Sequence, residues 1–508
     1  MADDCISLLL GNFGPWQMLL VFLVASSNFF LALNTIGSAF LLPSELSFHC
    51  SGHNATECVD DACELRRQGR CGILVFDQTE YLSTAVEDFE LVCERRWLSS
   101  MSQSLSMAGL ALGALAFGRL SDRGGRRTSL LLGAAVHVLG CLLSLAASGV
   151  GVYALSRLVT SVGAASIAAL DVLLVESVAP RQRYLDSLAI TVGFCLGALA
   201  AAGLSLAVPS WRALHGVMLI HGALVFSCSL LVHESPRWFL SKGRLEEAQE
   251  ALRSIATFNG VHRGKMATHL PKFLEQYEAS AAADAAAHRS SLRDLFCASR
   301  ALALYTLFMW FQAIVLGLVY YTSSLTGTSL GGRPQLDFAC LCAAELVCNL
   351  VACAAARQVP RRATMAFLAA SLACAEALLL ACRGYVARLC ICLVIKGAVS
   401  SYFLVCFLHL QESYPTGLRA LGVSAFQCVF WASAALDPFA RDAAGPLLPA
   451  VYAGALVVCC LLVWALVHET LGKTLEDALP RCADGVDRCA GQERAEAGNM
   501  VGVQLQRF

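Results

Sequence analysis

Residues Gly118 to Arg127 read GRLSDRGGRR, with five charged residues in ten, four of them arginine. The stretch lies between SLSMAGLALGALAF (104–117) and SLLLGAAVHVLGCLLSLAA (129–147). Such an abrupt change suits a hairpin of two membrane spans that turns in the cytosol, because Lys and Arg in short loops are retained on that side. Composition points the same way. The chain is 57% hydrophobic and 15% charged, with a mean hydropathy of +0.61, whereas a soluble domain carries about 25% charged residues. With 37 basic and 38 acidic residues the balance gives no reason to expect a nucleic-acid partner, and the placement of the charges carries the information. The chain reads as an all-α polytopic protein whose surroundings are the lipid bilayer.

A span needs about 20 mainly apolar residues to cross roughly 30 Å of hydrocarbon. About twelve candidates satisfy this, centred near residues 30, 108, 138, 164, 196, 222, 311, 345, 372, 397, 430 and 457. The eighth and eleventh are the weakest patterns, since polar or proline residues interrupt them. The start, MADDCISLLLGNF, has Asp3 and Asp4 and no basic segment, which argues for a first span that is kept rather than a cleaved signal. Arginines cluster in alternate short loops: Arg119, Arg123, Arg126 and Arg127, then Arg181 and Arg183, then Arg357, Arg361 and Arg362, then Arg419. That pattern predicts both termini in the cytosol.

The expected organisation is a first six-span bundle (1–233), a cytosolic linker (234–300), a second six-span bundle (301–470) and a cytosolic tail (471–508). Within the first bundle a large loop, 43–97, falls outside the cell. It holds Cys50, Cys58, Cys63, Cys71 and Cys93, a disulfide set whose pairing the spacing leaves open. It also carries the sequon Asn54-Ala55-Thr56, so Asn54 is a glycosylation candidate. In the linker, RLEEAQEALRSIATFNG predicts an amphipathic helix ending at Asn259-Gly260.

Three landmarks recur at nearly one offset. Arg126-Arg127 returns as Arg361-Arg362 after 235 residues, ESVAPRQR (176–183) as ESYPTGLR (412–419) after 236, and VHES ending at Ser235 as VHET ending at Thr470 after 235. Two similar six-span halves in parallel order suggest a secondary transporter that rocks about a central site. The alternative from another class is a duplicated pseudo-transporter acting as a receptor or regulator. No pore-loop, HExxH, Walker or dinucleotide signature is present, so neither a channel nor an enzyme is expected, and no cofactor or metal. Gly109 and Gly113, at GxxxG spacing, read as helix-packing contacts.

GRLSDRGGRR resembles the loop between the second and third spans of the major facilitator superfamily. DFELVCERRWL (88–98), HESPRWFLSKGR (233–244), ESYPTGLRALG (412–422) and HETLGKTLED (468–477), with PSELSFHC before the cysteine-bearing loop, resemble solute carrier family 22, the organic cation, carnitine and organic anion carriers. The resemblance implies a plasma-membrane carrier of small organic ions working by alternating access, as facilitated diffusion or exchange. It further implies a charge network at the cytosolic ends of the spans, made of Asp122, Arg126, Arg127, Glu176, Arg183, Glu234, Arg237, Glu412, Arg419 and Glu469. Such a network holds that face shut in one state and separates in the other. The plainer reading is topology alone, but insertion rules do not ask for the recurring acids. One departure stands out: Arg357 falls where the first half has Asp122, and Pro360 replaces a glycine, so the second clamp is expected to be degraded or inverted.

Charges inside spans are costly and point to a site. The candidates are Asp171, Glu345, Glu376 and Lys396, with Asp171 weighed against a structural pairing with Lys396 or Arg157. Aromatic candidates for a cavity wall are Trp310, Phe311, Phe407, Phe426 and Trp431. The residue seven before Pro438 is Trp431, where cation carriers of the resembled family tend to have an acid and anion carriers an arginine. Asn349 stands where anion carriers have a lysine. Substrate charge therefore stays open among cation, zwitterion and anion, as does the oligomeric state.

Overall fold

The computed structural model describes residues 13–43, 46–50, 59–76, 83–178, 182, 184–207, 210–261, 270, 294–297, 299–327, 330–355, 358–414 and 416–470. Twelve helices follow the predicted span centres. In the first half they are α1 Pro15–Thr35, α2 Arg96–Gly124, α3 Arg126–Leu145, α4 Val150–Ser177, α5 Tyr184–Ala207 and α6 Trp211–Leu231. In the second they are α7 Arg300–Thr326, α8 Pro334–Ala355, α9 Arg361–Ala381, α10 Tyr385–Ser413, α11 Thr416–Ala434 and α12 Leu448–Leu466. Among the described residues eleven helices are long and apolar enough to cross a membrane. Over α11 the apolar stretch is only Leu421–Ala434. That helix stops because Pro438 and the buried Asp437 follow, and a new helix, Asp437–Ala444, starts with the proline in its first turn, the position a helix tolerates.

The packing repeats with the sequence. In the first half α1 lies on α5, α2 and α3 lie on α4, and α3 lies on α6; in the second α7 lies on α11, α8 and α9 lie on α10, and α9 lies on α12. The halves meet where α2 packs on α11 and α5 on α8. On the side that carries the disulfides they also touch through Ser38 Oγ and Tyr321 Oη, 3.0 Å apart, and through an edge-on pair of Phe40 and Phe338 with ring centroids 5.0 Å apart. This conformer is therefore drawn together on the disulfide side.

Membrane helices gain little from burying apolar surface against each other, so close backbone approach at small residues drives their packing. A Cβ on Gly113 would stand 2.4 Å from the Val162 carbonyl oxygen of α4, and one on Gly197 would stand 2.1 Å from that of Phe29 in α1. These glycines set how close α2 comes to α4 and α5 to α1.

Between α1 and α2 lies a small disulfide-bonded subdomain. Its strands β1 Phe48–Cys50 and β2 Leu74–Phe76 pair antiparallel, with Cys50 opposite Leu74. The bonds join Cys50 to Cys71 and Cys63 to Cys93, while Cys58 and Asn54 lie outside the described residues. So small a unit has little core of its own, and cross-links replace it. Trp211 Nε1 donates to Asp88 Oδ2 at 2.9 Å, and Arg212 pairs with the same carboxylate, tying the subdomain to the start of α6. In the linker the amphipathic helix forms over Leu245–Phe258 and ends at Gly260, whose φ is +69°. Its apolar face, which includes Ala248, Leu252 and Ile255, belongs to one core cluster with Trp16 and Leu20 of α1. We predict that Gly197→Leu, by over-packing the α1–α5 contact, lowers the stability of the purified protein by about 1–3 kcal/mol. A thermal melt in detergent checks this, and the exposed Gly203→Leu, where a Cβ meets nothing within 4 Å, should leave the midpoint unchanged.

Candidate functional site

Two groups of charged side chains are assembled by the fold, one at the arginine-rich ends of the helices and one inside the second half.

At the first group, α3 begins at Arg126 after Gly125, whose φ is +103° and whose missing Cβ leaves room for Glu234: a Cβ there would lie 2.1 Å from Glu234 Oε2. Glu234 sits on the open N-terminus of α3. The Arg126 amide donates to its Oε1 at 2.8 Å and the Arg127 amide to its Oε2 at 3.1 Å. A carboxylate is stabilised there by the unpaired amides and the helix dipole. The Arg126 guanidinium turns back to Asp122 at 3.1 Å and across to Glu176 at the end of α4 at 3.0 Å. Arg127 donates to the Ser229 and Leu230 carbonyls at the end of α6, at 3.3 and 2.6 Å. Arg237 Nε donates to the Glu176 carbonyl at 2.9 Å.

The second half builds the same device. The Arg361 and Arg362 amides donate to Glu469 Oε1 and Oε2 at 2.9 and 3.2 Å. Arg361 Nε and Nη2 grip both oxygens of Glu412 at 3.3 and 3.1 Å, and Arg362 donates to the Trp464 carbonyl at the end of α12. The expectation of a degraded second clamp is thus corrected at its centre. Pro360, with φ −56° and ψ 131°, delivers the chain into α9 without the glycine, and Glu412 gains a further bond from Thr470 Oγ1 at 2.6 Å. Arg183 and Arg357 lie outside the described residues, as does the side chain of Arg419. In this conformer, drawn together on the disulfide side, the clamp contacts among the described residues each join residues of one half and bind the helices of a bundle to one another.

The second group lies where α7, α8 and α10 meet. Lys396 Nζ is 3.4 Å from Glu345 Oε2, and both side chains are 1–2% exposed. Nζ also donates to Ser324 Oγ at 2.5 Å and stands 3.5 Å over the Tyr320 ring, while the Tyr320 hydroxyl donates to Glu345 Oε1 at 3.0 Å. One turn along α8, Asn349 donates to Ser400 Oγ at 2.8 Å and approaches Cys195 of α5 at 3.9 Å, which places the pair beside the contact between halves. Tyr320 leads into an aromatic wall: Phe430 lies 6.2 Å from its ring, and Phe403 and Trp431 lie 4.6 and 5.2 Å from Phe430. Phe426 and Phe407 extend that wall through Phe403. Trp310 belongs elsewhere, edge-on to Phe296, and Phe311 is partly buried against the core.

Asp171 pairs with neither cation considered for it. Lys396 is held by Glu345, and the fully buried Arg157 donates to the Asn34 Oδ1 and carbonyl oxygens at 2.8 and 2.5 Å and to Ser106 Oγ at 3.1 Å. The ionisable neighbour of Asp171 is Asp186 of α5, and each has one buried carboxyl oxygen without a partner among the described residues. Asn34, Ser106, Asp186 and Tyr320 were missed from the sequence. A lone polar residue in an apolar run carries no pattern, and only the fold says what it meets.

A pair of similar six-helix halves that meet along α2–α11 and α5–α8, with charges buried at their junction, defines an alternating-access carrier of the major facilitator fold. The profile of the "Sugar (and other) transporter" family matches residues 18–479, and the chain belongs to that family and, within it, to solute carrier family 22. It is 31% identical to mouse (Mus musculus) solute carrier family 22 member 6 over 80% of this chain and 75% of that protein. Identity to human (Homo sapiens) solute carrier family 22 member 16 is 27%, over 79% and 70%. The Drosophila melanogaster "Organic cation transporter protein" is 26% identical over 98% and 97%. Among solved structures, the partially occluded inward-open xylose transporter XylE from E. coli superposes with a TM-score of 0.63, at 17% identity, over 91% of this chain and all of that one. The protein is a multi-pass membrane transporter.

Because the Arg361 side chain is 9% exposed and grips Glu412 with two nitrogens, removing it strands a partly buried carboxylate. We expect Arg361→Gln to cost about 3 kcal/mol or more. Arg66→Gln, which breaks a pair whose side chains are 35% and 43% exposed, should cost less than about 1 kcal/mol. Thermal melts of the two variants side by side check the order.

Proposed function

We propose that this chain moves small organic ions across the plasma membrane by rocking its two halves about the α5–α8 and α2–α11 contacts, as facilitated diffusion or exchange. The termini and the arginine-rich loops face the cytosol, and the disulfide-bonded subdomain faces outside, where Asn54 carries glycan. The observation that carries this reading is the Glu345–Lys396 pair set against Tyr320 and its aromatic wall. A buried pair that neutralises itself is stable while the site is empty. A charged substrate competes with the like-charged partner for the opposite one, so the pair loosens on binding and closes again on release. The aromatic faces supply contact for an apolar body or a cationic head. The names of the relatives, organic cation transporters among them, support an organic ion as cargo.

In this reading the two arginine–carboxylate clamps keep each bundle's cytosolic end rigid, so that motion between the halves is transmitted rather than absorbed. Asp171 and Asp186 lie on the first half's side of the pathway as acceptors for a cationic group. Two neighbouring carboxylates share charge unfavourably, and a cation between them relieves that.

The test is uptake of labelled organic cations, zwitterions and anions by cells with the protein at their surface. Saturable uptake of one class is expected. Lys396→Met and Glu345→Gln should each lower it by about tenfold or more, since breaking a buried pair costs about 3 kcal/mol, at unchanged surface abundance. A folded surface protein that takes up none of the three classes, or whose uptake ignores both substitutions, sinks the proposal.

A further inference from the structure

A second binding place lies at the disulfide-side end of the second half. There a cavity of about 690 Å³ opens between α7, α9, α10, the Asp437–Ala444 helix and the start of α12, and Arg96 at the beginning of α2 reaches it from the first half. Four arginines line it: Arg96, Arg383, Arg388 and Arg441. Among the described residues only Arg441 has its charge answered, by Asp437 at 3.1 Å. Arg388 Nε is shut off from water with no acceptor among the described residues, an arrangement that costs free energy until an acceptor arrives. Glu376, 5% exposed, is the one acid among the described lining residues. Whichever protonation state it takes, Arg96, Arg383 and Arg388 leave the cavity with a positive excess. The remaining wall is mixed, with Thr322 and Tyr452 beside Leu379, Ile395 and Leu448.

We propose that this cavity binds an anionic head group carried on an apolar body, apart from the Glu345–Lys396 site, and that the bound anion bridges Arg96 of the first half to Arg388 and Arg383 of the second. Guanidinium groups match carboxylate, sulfate and phosphate oxygens in planar, charge-assisted pairs. The apolar wall takes the body of the ligand. Bridging has a consequence for the cycle. The halves are drawn together on this side in the present conformer, so a ligand that holds both halves here favours this conformer over the one open on the disulfide side. By linkage it slows the return step. The ligand comes either from solution or from the head group of a lipid in the adjacent leaflet, and the two share the same chemistry.

The experiment uses the full chain in detergent and the photoreactive carboxylate 4-benzoylbenzoate, with cross-linked peptides mapped by mass spectrometry. Labelling is expected within 376–395 or 441–452. Arg388→Gln should reduce it about tenfold, the loss that follows from one charge-assisted hydrogen bond, Arg383→Gln should reduce it too, and Arg388→Lys should retain part of it. Glu376→Gln should leave labelling equal or stronger, because it removes a charge that opposes the anion. A monodisperse elution profile for each variant keeps folding apart from binding. In a parallel arm, native mass spectrometry of protein purified without added anion looks for a retained anionic phospholipid. A retained lipid lost in Arg388→Gln assigns the site to a lipid head group, and labelling without retained lipid assigns it to a soluble anion. Labelling elsewhere together with no retained lipid, labelling indifferent to both arginine variants, or labelling weakened by Glu376→Gln overturns the proposal. The proposal relies on the transport reading only for the effect on the cycle. Because the label is read by position, an absence of uptake would count against transport and leave this site standing.

Discussion

A carboxylate seated on the N-terminus of a helix is the contact on which each half of this protein depends. Glu234 closes α3 and Glu469 closes α9, each accepting from two successive backbone amides. The geometry fixes more than one helix end. Once the carboxylate is in place, the first arginine of the pair is aimed at the acid ending the neighbouring long helix, and the second at the carbonyls ending the last helix of the half. Three helix termini are thereby joined at one point, and their unpaired groups are satisfied by charged partners. Backbone amides do the capping, so the device needs only that the residue before the arginines leave room for the carboxylate. That is why Gly125 and Pro360, chemically so different, both serve: one makes room through a positive φ, the other enters the helix from an extended ψ.

The same logic explains what was legible in the sequence. Span positions follow from the length of apolar run the bilayer requires, and the repeat follows from charged landmarks at fixed offsets, so architecture could be read without any tertiary information. The partial failure at α11 has the same root. Asp437 and Pro438 interrupt the apolar run, and the structure shows the interruption to be real, with a helix end, a buried acid held by Arg441 and Thr322, and a second short helix. Side-chain identity at 357 and 360 is a poor guide to the second clamp, because its central contact is made by the backbone at 361 and 362.

Within the membrane the sequence announced which residues were out of place but not whom they met. Lys396 and Glu345 lie 51 positions apart and find each other only through the crossing of α8 and α10. Arg157 finds Asn34 over 123 positions. An ionised side chain in an apolar run is conspicuous, since burying it alone is costly. The neutral groups that make its burial tolerable, such as Asn34, Ser106, Ser324 and Tyr320, look like any other residue of their helices. A sequence therefore reveals the charges of such a site more readily than its solvation.

The two halves are alike in fold and unlike in how they hold charge. The second keeps a closed pair, Glu345 with Lys396, already shielded by Tyr320 and Ser324. Among the described residues, the first keeps a cation solvated only by neutral groups, Arg157, and two neighbouring acids, Asp171 and Asp186, without the pairing found across the junction. Halves repeated in parallel order are related by an axis along the membrane normal, so identical halves would line their junction with identical walls. Unequal charge balance in halves of equal shape makes those walls differ: the fold is repeated, and its buried charges are not.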